Sequence, residues 1–109
     1  MKILIKDGFI ADGSGNKGYI GDILICDERI EKIGHGLCEN DVDRTIDARG
    51  LVIAPGFIDT HSHSDLKILE NPFNEIKIRQ GITTEVLGQD GISMAPLPKE
   101  YVSSWRKNL

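Results

Sequence analysis

Ala54-Pro55-Gly56-Phe57-Ile58-Asp59-Thr60-His61-Ser62-His63 is the stretch on which the reading of this chain turns. Pro55-Gly56 is a breaker pair that ends whatever precedes it. Gly56 to Thr60 is a short apolar run and reads as a buried strand. Residues two apart on a strand project to the same side, so His61 and His63 share a face where the strand runs out. Two imidazoles presented together suit a borderline divalent metal such as zinc. An isolated His-x-His is more often a pair of surface side chains in a polar loop. The apolar strand that ends at this one favours a metal site.

Downstream, Asn71-Pro72 reads as a helix start, with Pro72 at the first helical position where its missing N–H costs nothing. Phe73, Ile76 and Gln80 keep helical spacing with Ile78 beside them, and Gly81 is a C-terminal stop. Ile82 to Leu87 reads as a second strand and Gly88-Gln89-Asp90-Gly91 as a loop. Pro98 begins a further helix carrying Tyr101 and Trp105 at i, i+4 spacing, a packing pair. Strand, helix, strand, helix is the start of a parallel α/β array, whose active sites gather at the C-terminal ends of the strands. Catalytic zinc usually takes about three protein ligands. Asp90 is the local candidate for the third, or else a turn residue between Gln89 and Gly91. Asp59 or Asp65 could hold the second ring nitrogen of a histidine. The alternatives are a structural cap for Asp59 and a helix-side cap or substrate contact for Asp65.

Upstream, the pattern is short strands and turns. Lys2 to Ile5 alternates with period two. Asp22 to Asp27 and Arg29 to Ile33 are strand candidates joined by a tight turn around Asp27-Glu28. Gly34 to Asp43 is a polar loop. Thr45 to Asp47 and Leu51 to Ala54 flank Ala48-Arg49-Gly50, a hairpin signal. A small antiparallel sheet, half of a sandwich, is expected. Gly13-Ser14-Gly15-Asn16-Lys17-Gly18 matches the dinucleotide fingerprint G-x-G-x-x-G, which needs a helix after it. Tyr19 to Cys26 reads as a strand instead, so the motif is a turn. His35, between two glycines, and Cys26 and Cys38 carry no chemistry that the sequence can support. The expected division is residues 1–54 and residues 55–109.

Thirteen Lys and Arg against seventeen Asp and Glu leave a net charge of −4 over 109 residues. Interspersed, mildly acidic charge offers no footprint for nucleic acid or an anionic membrane. No segment approaches the roughly 18 apolar residues of a membrane span, and the first residues are too short and too charged for a signal peptide. Two cysteines cannot build a disulfide scaffold, so a reducing, cytoplasmic setting is expected. A closed eight-stranded α/β barrel takes about 250 residues. A chain of this length is therefore expected to be a fragment or to need a partner, to be inactive by itself, and to self-associate through an incomplete barrel; the alternative, for a chain that works at this length, is a non-catalytic β-rich module.

Ala54-Pro55-Gly56-Phe57-Ile58-Asp59-Thr60-His61-Ser62-His63 resembles the P-G-x-I-D-x-H-x-H signature of the amidohydrolase superfamily. The pattern of Asp7-Gly8 to Gly15, then Gly21-Asp22-Ile23-Leu24-Ile25 and Ile30-Glu31-Lys32-Ile33-Gly34, is similar to the small β-sandwich that precedes the barrel there. Gln80-Gly81-Ile82-Thr83-Thr84-Glu85-Val86 and Gly88-Gln89-Asp90-Gly91-Ile92-Ser93-Met94-Ala95-Pro96 resemble the second-strand region of the N-acyl-D-amino-acid deacylases, or D-aminoacylases. The resemblance implies an α/β protein with a sandwich part followed by the first strands and helices of a metal-dependent (β/α)8 barrel. It also implies zinc-dependent hydrolysis of a small-molecule, non-peptide amide. The general base and further histidines of that family would lie downstream, so no catalytic residue is assignable here. One departure stands out. The family loop typically reads Gly-Asn-Cys-Gly, with the cysteine a metal ligand, and Asp90 occupies that place. A carboxylate is a harder ligand than a thiolate, which leaves room for another metal or another substrate. Hydantoinases and dihydroorotases, which cleave cyclic amides, share the histidine pair and remain competitors.

Overall fold

The computed structural model describes residues 1–68, 70–93, 96 and 98–104, the side chain of Leu66 excepted. Trp105, and with it the expected Tyr101–Trp105 pairing, lies outside the described residues, as do Met94 and Ala95. The backbone divides into two compact units, Met1–Pro55 and Gly56–Leu109.

In the first unit, strand β1 (Lys2–Ile10) is the axis. It pairs antiparallel with β2 (Tyr19–Cys26), and β2 pairs antiparallel with β3 (Arg29–Gly34). Cys26 faces Arg29, so the β2–β3 hairpin closes through Asp27-Glu28 alone. Asp27 sits at φ 53°, the left-handed conformation that tight hairpins favour and that Asp tolerates. No helix follows the glycines of the Gly13–Gly18 motif; β2 does, and the motif is a loop.

Strands β4 (Arg44–Asp47) and β5 (Val52–Ile53) correct the expected hairpin. Both run parallel to β1 along its free edge, so the sheet is mixed rather than antiparallel. The Ala48-Arg49-Gly50 turn is a jog. Ala48 donates to the Lys6 carbonyl at 2.8 Å, Leu51 to the Ala48 carbonyl at 2.9 Å, and Phe9 to the Leu51 carbonyl at 2.9 Å. The chain therefore leaves the edge of β1 and rejoins it in the same direction.

The jog sits beside a bulge in β1 itself. Ile5 faces Ile23 and Gly8 faces Gly21, so Lys6 and Asp7 oppose Asp22 alone. A bulge leaves an N–H without its ladder partner. Here Asp7 (φ 58°) donates that N–H to Asp22 Oδ1 at 2.8 Å, while Asp22 Oδ2 accepts from Leu37 N at 2.8 Å. Asp22 is 1% exposed. Burial pushes its carboxyl up, but the two amide donors, with the nearby charges of Lys6 and His35 adding to them, hold it below the usual carboxylate range. Leu4, Ile10, Ile23, Leu24 and Ala48 form the buried apolar core around it.

The second unit pairs β6 (Phe57–Asp59) with β7 (Ile82–Glu85) in parallel, the connection passing through helix α1 (Glu75–Arg79). The helix is shorter than its periodicity suggests. Pro72 and Phe73 lie in a turn, and Asn74 is left-handed (φ 37°, ψ 54°), so helical geometry cannot begin before Glu75. Gly81, at φ 80°, follows the helix as expected and donates to the Ile78 carbonyl at 2.9 Å. The expectation of a buried first strand is also corrected. Phe57 and Ile58 are 60% and 62% exposed, because a two-stranded sheet leaves its faces open. Pro98 caps a 3-10 turn at Lys99–Tyr101, and helical residues continue to 104. No helix among the described residues is long and apolar enough to cross a membrane.

Candidate metal centre

The parallel ladder of the second unit carries the chain past the end of β6. Val86 donates to the Asp59 carbonyl at 2.8 Å, and Ser62 to the Val86 carbonyl at 3.3 Å. Side chains alternate across this extension. Ser62 is buried, 4% exposed, while His61 and His63 stand out on the other side. Their rings lie 5.4 Å apart, edge to face at 72°, the shared face that the His-x-His spacing predicts.

Asp90 comes to the same point from the loop after β7. That loop turns through Gly88 (φ 80°), Asp90 (φ 54°) and Gly91 (φ 75°), and Gln89 Nε2 ties it to the Thr60 carbonyl at 3.3 Å. Asp90 Oδ2 lies 2.9 Å from His61 Nε2 and 3.2 Å from His63 Nε2. The three candidate ligand atoms all fall within 4.8 Å of one another. Hydrogen bonding to His61, joined by His63, holds the Asp90 carboxyl below its ordinary range, so it presents an anion to whatever sits between the rings.

Asp59 and Asp65 do not hold the histidine rings. Asp59 Oδ1 accepts the backbone N–H of His61 at 3.2 Å, and its other oxygen pairs with Lys77. Lys77 is the main cause, and the His61 amide the second, of an Asp59 carboxyl held below its usual range. Asp65 lies inside the 3-10 turn Ser64–Leu66 rather than capping it. It is 7% exposed, and neither carboxylate oxygen has a hydrogen-bond partner among the described residues. His35 remains a bland loop residue whose ring lies 5.7 Å from that of Tyr19, and Cys26 and Cys38 are free thiols.

Sequence reasoning missed the polar network behind the histidines. Glu85 Oε1, at the end of β7, accepts from Ser62 Oγ at 2.7 Å and Ser64 Oγ at 2.8 Å, and lies 3.0 Å from Lys77 Nζ. Asn74 Nδ2 donates to Glu85 Oε2 at 3.3 Å. Hydrogen bonding from Ser62 is the largest of the effects that hold the Glu85 carboxyl low against its burial, with Lys77 and Ser64 adding to it. One signal was available: the serines alternate with the histidines, and Glu85 is the one charged residue in a Thr- and Val-rich run.

No protein-family model matches the chain. Curated relatives do. N-acyl-D-glutamate deacylase of Alcaligenes xylosoxydans xylosoxydans is 46% identical over 98 residues, 90% of this chain and 20% of that protein. D-aminoacylase of the same organism is 42% identical over 95 residues, 87% of this chain and 19% of that protein. Among solved structures, N-acyl-D-glutamate deacylase from Bordetella bronchiseptica, complexed with zinc and a phosphonate inhibitor that mimics the tetrahedral intermediate, superposes with a TM-score of 0.81. It is 42% identical over 90% of this chain and 20% of that one. The chain spans about a fifth of the length of these relatives. In sequence and in backbone alike, the chain corresponds to the N-terminal portion of the N-acyl-D-amino-acid deacylases of the amidohydrolase family.

Proposed function

We propose that the gene product hydrolyses the amide bond of N-acyl-D-amino acids with a divalent metal, most simply zinc, held by His61, His63 and Asp90. The observation that carries this reading is the convergence of two imidazole nitrogens and a carboxylate oxygen within 4.8 Å, where two parallel strands end. The donor set fits the ion. A tetrahedral zinc with bonds of about 2.0–2.1 Å spaces its ligand atoms about 3.3 Å apart, and Asp90 Oδ2 already lies 2.9 and 3.2 Å from the two nitrogens. When bound, the metal supplies a Lewis acid for the amide carbonyl and lowers the pKa of water. His61 and His63 supply neutral nitrogen donors from one face, and Asp90 neutralises part of the charge. In this reading Met1–Pro55 is the sandwich part and Gly56 onward the start of a barrel. The general base and remaining ligands belong to segments beyond residue 109. The apolar residues Phe57, Ile58, Phe73 and Ile76, all exposed, are the surface through which this chain alone would self-associate. Two free thiols, Cys26 and Cys38, suit the cytoplasm.

Asp90 in the place of a cysteine keeps cyclic-amide hydrolysis as a second reading. A D-hydantoinase structure matches only 60% of the chain, at a TM-score of 0.53, which favours the deacylase reading. The test is turnover by the zinc-loaded, full-length gene product on N-acyl-D-amino acids, their L-enantiomers, hydantoins and dihydroorotate. Release of the free D-amino acid, abolished by a His61→Ala/His63→Ala variant, is expected. Activity confined to the cyclic amides, or unchanged in that variant, would overturn the proposal.

A further inference from the structure

We propose that Glu85 is a positioning residue for the metal centre: by gripping Ser62 and Ser64 it holds the chain that carries His61 and His63. The inference rests on the metal reading above.

The backbone gives the histidines little support of its own. Beyond β6, the ladder bond at Ser62 is 3.3 Å long, and His63 precedes a 3-10 turn with no side-chain cap. What fixes residues 61–64 is side-chain bonding. Glu85 Oε1 takes both serine hydroxyls, at 2.7 and 2.8 Å, and the two hydroxyls lie 3.0 Å from each other. Ser62 Oγ also accepts the Ser64 N–H at 3.2 Å. His61 and His63 are exposed on either side of buried Ser62, and Ser64 opens the 3-10 turn that follows His63 (φ −113°, ψ 25°). Pinning Ser62 and Ser64 to one carboxylate oxygen therefore fixes the chain on both sides of His63 and directly after His61, where Asp90 reaches both rings.

Lys77 couples this grip to a second one. It lies 3.0 Å from Glu85 Oε1 and pairs with Asp59, and Asp59 in turn holds the His61 N–H. Asn74 closes the cluster, donating to Ser64 Oγ at 3.2 Å and to Glu85 Oε2 at 3.3 Å. Glu85, its side chain 14% exposed, is the group on which the serines, the lysine and the asparagine converge. Polar partners that orient ligands without touching the ion typically change metal affinity by about 10- to 100-fold.

The experiment is zinc affinity of the full-length gene product, measured by competition with a chromophoric chelator. The visible spectrum of the cobalt form and the melting temperature of the metal-free form are recorded alongside. Glu85→Ala is expected to weaken zinc by about 10- to 100-fold and to alter the cobalt spectrum. Glu85→Gln keeps a carbonyl oxygen for the two hydroxyls and should recover most of the affinity. Ser62→Ala/Ser64→Ala removes the other half of the grip while leaving the Glu85–Lys77 pair, and should reproduce the loss. That variant decides the question if Glu85→Ala does not fold. Wild-type zinc affinity and an unchanged cobalt spectrum in the serine variant, with only the melting temperature lowered, would overturn the positioning role and leave the metal reading standing. A wild-type protein that binds no zinc would overturn both.

Discussion

Replacing Asp90 by Ala tests the centre at its least expected member. In the structure Asp90 Oδ2 stands 2.9 Å from His61 Nε2 and 3.2 Å from His63 Nε2. Ligand atoms on a tetrahedral zinc sit about 3.3 Å apart, close to both of these separations, and all three ligand atoms fall within 4.8 Å of one another. Asp90 would then be a direct ligand. Loss of a partner that merely orients a ligand costs about 10- to 100-fold in affinity, so loss of a ligand itself should exceed about 100-fold, or about 2.7 kcal/mol. The assay is chelator competition on the metal-stripped, full-length gene product. Asp90→Cys replaces one anionic ligand by a softer one and should retain tight zinc binding where Asp90→Ala does not. If Asp90→Ala lost less than about tenfold, the carboxylate would be a hydrogen-bond partner of the imidazoles and nothing more, and the three-donor centre would be wrong.

Two further outcomes follow from the fold. Asp22→Asn replaces one of two acceptor oxygens by a donor, stranding a buried amide of Asp7 or Leu37. It should cost about 1–3 kcal/mol in urea unfolding, with faster hydrogen exchange at those two amides. Because the folded carboxyl is held below its ordinary value, its stabilisation is complete above about pH 4 and is lost as pH falls through the depressed folded value. The urea midpoint of the wild type should therefore drop on acidification more steeply than that of Asp22→Asn. Gly56→Ala would set a Cβ 2.1 Å from Thr83 Oγ1 and 2.7 Å from Thr83 Cβ. It should destabilise the β6–β7 pair by about 1–3 kcal/mol. Thr83→Ala should restore part of that loss but not all, since the Thr83 Cβ itself is too close.

The parts of this molecule that were legible in its sequence are those fixed by short-range rules. The β2–β3 hairpin was readable because a two-residue turn at Asp27-Glu28 dictates its own pairing. The shared face of His61 and His63 was readable because side-chain alternation is a property of the chain itself. The β4–β5 segment was not. A turn at Ala48-Arg49-Gly50 is visible in the letters, but whether the chain folds back or rejoins the same edge depends on β1 and its bulge, forty residues away in sequence. The start of α1 was misplaced for a similar reason. Asn74 gives up helical geometry, and its side chain is held by Ser64, in the 3-10 turn that follows the histidines, and by Glu85, at the end of β7.

Asp90 and Glu85 mark the boundary between the two kinds of residue. Both owe their place to one register, in which Asp59 faces Glu85. That pairing sets Glu85 level with the end of β6, within reach of the serines that follow. It also starts the Val86–Asp90 excursion beside the histidines rather than a turn away. Asp90 could be nominated from the sequence because a strand-end loop is where ligands gather, yet nothing local separated a ligand from a turn residue. Glu85 could not be nominated, because a single acid in a strand is usually a solvated side chain. Slip the register by one residue and every side chain of β7 changes face: Glu85 would turn away from Ser62 and Ser64, and the lysine between the two acids would lose a partner. The His61–His63–Asp90 cluster and the Glu85 network behind it are therefore one consequence of the β6–β7 pairing, which is why a sequence-local reading could find half of it and not the rest.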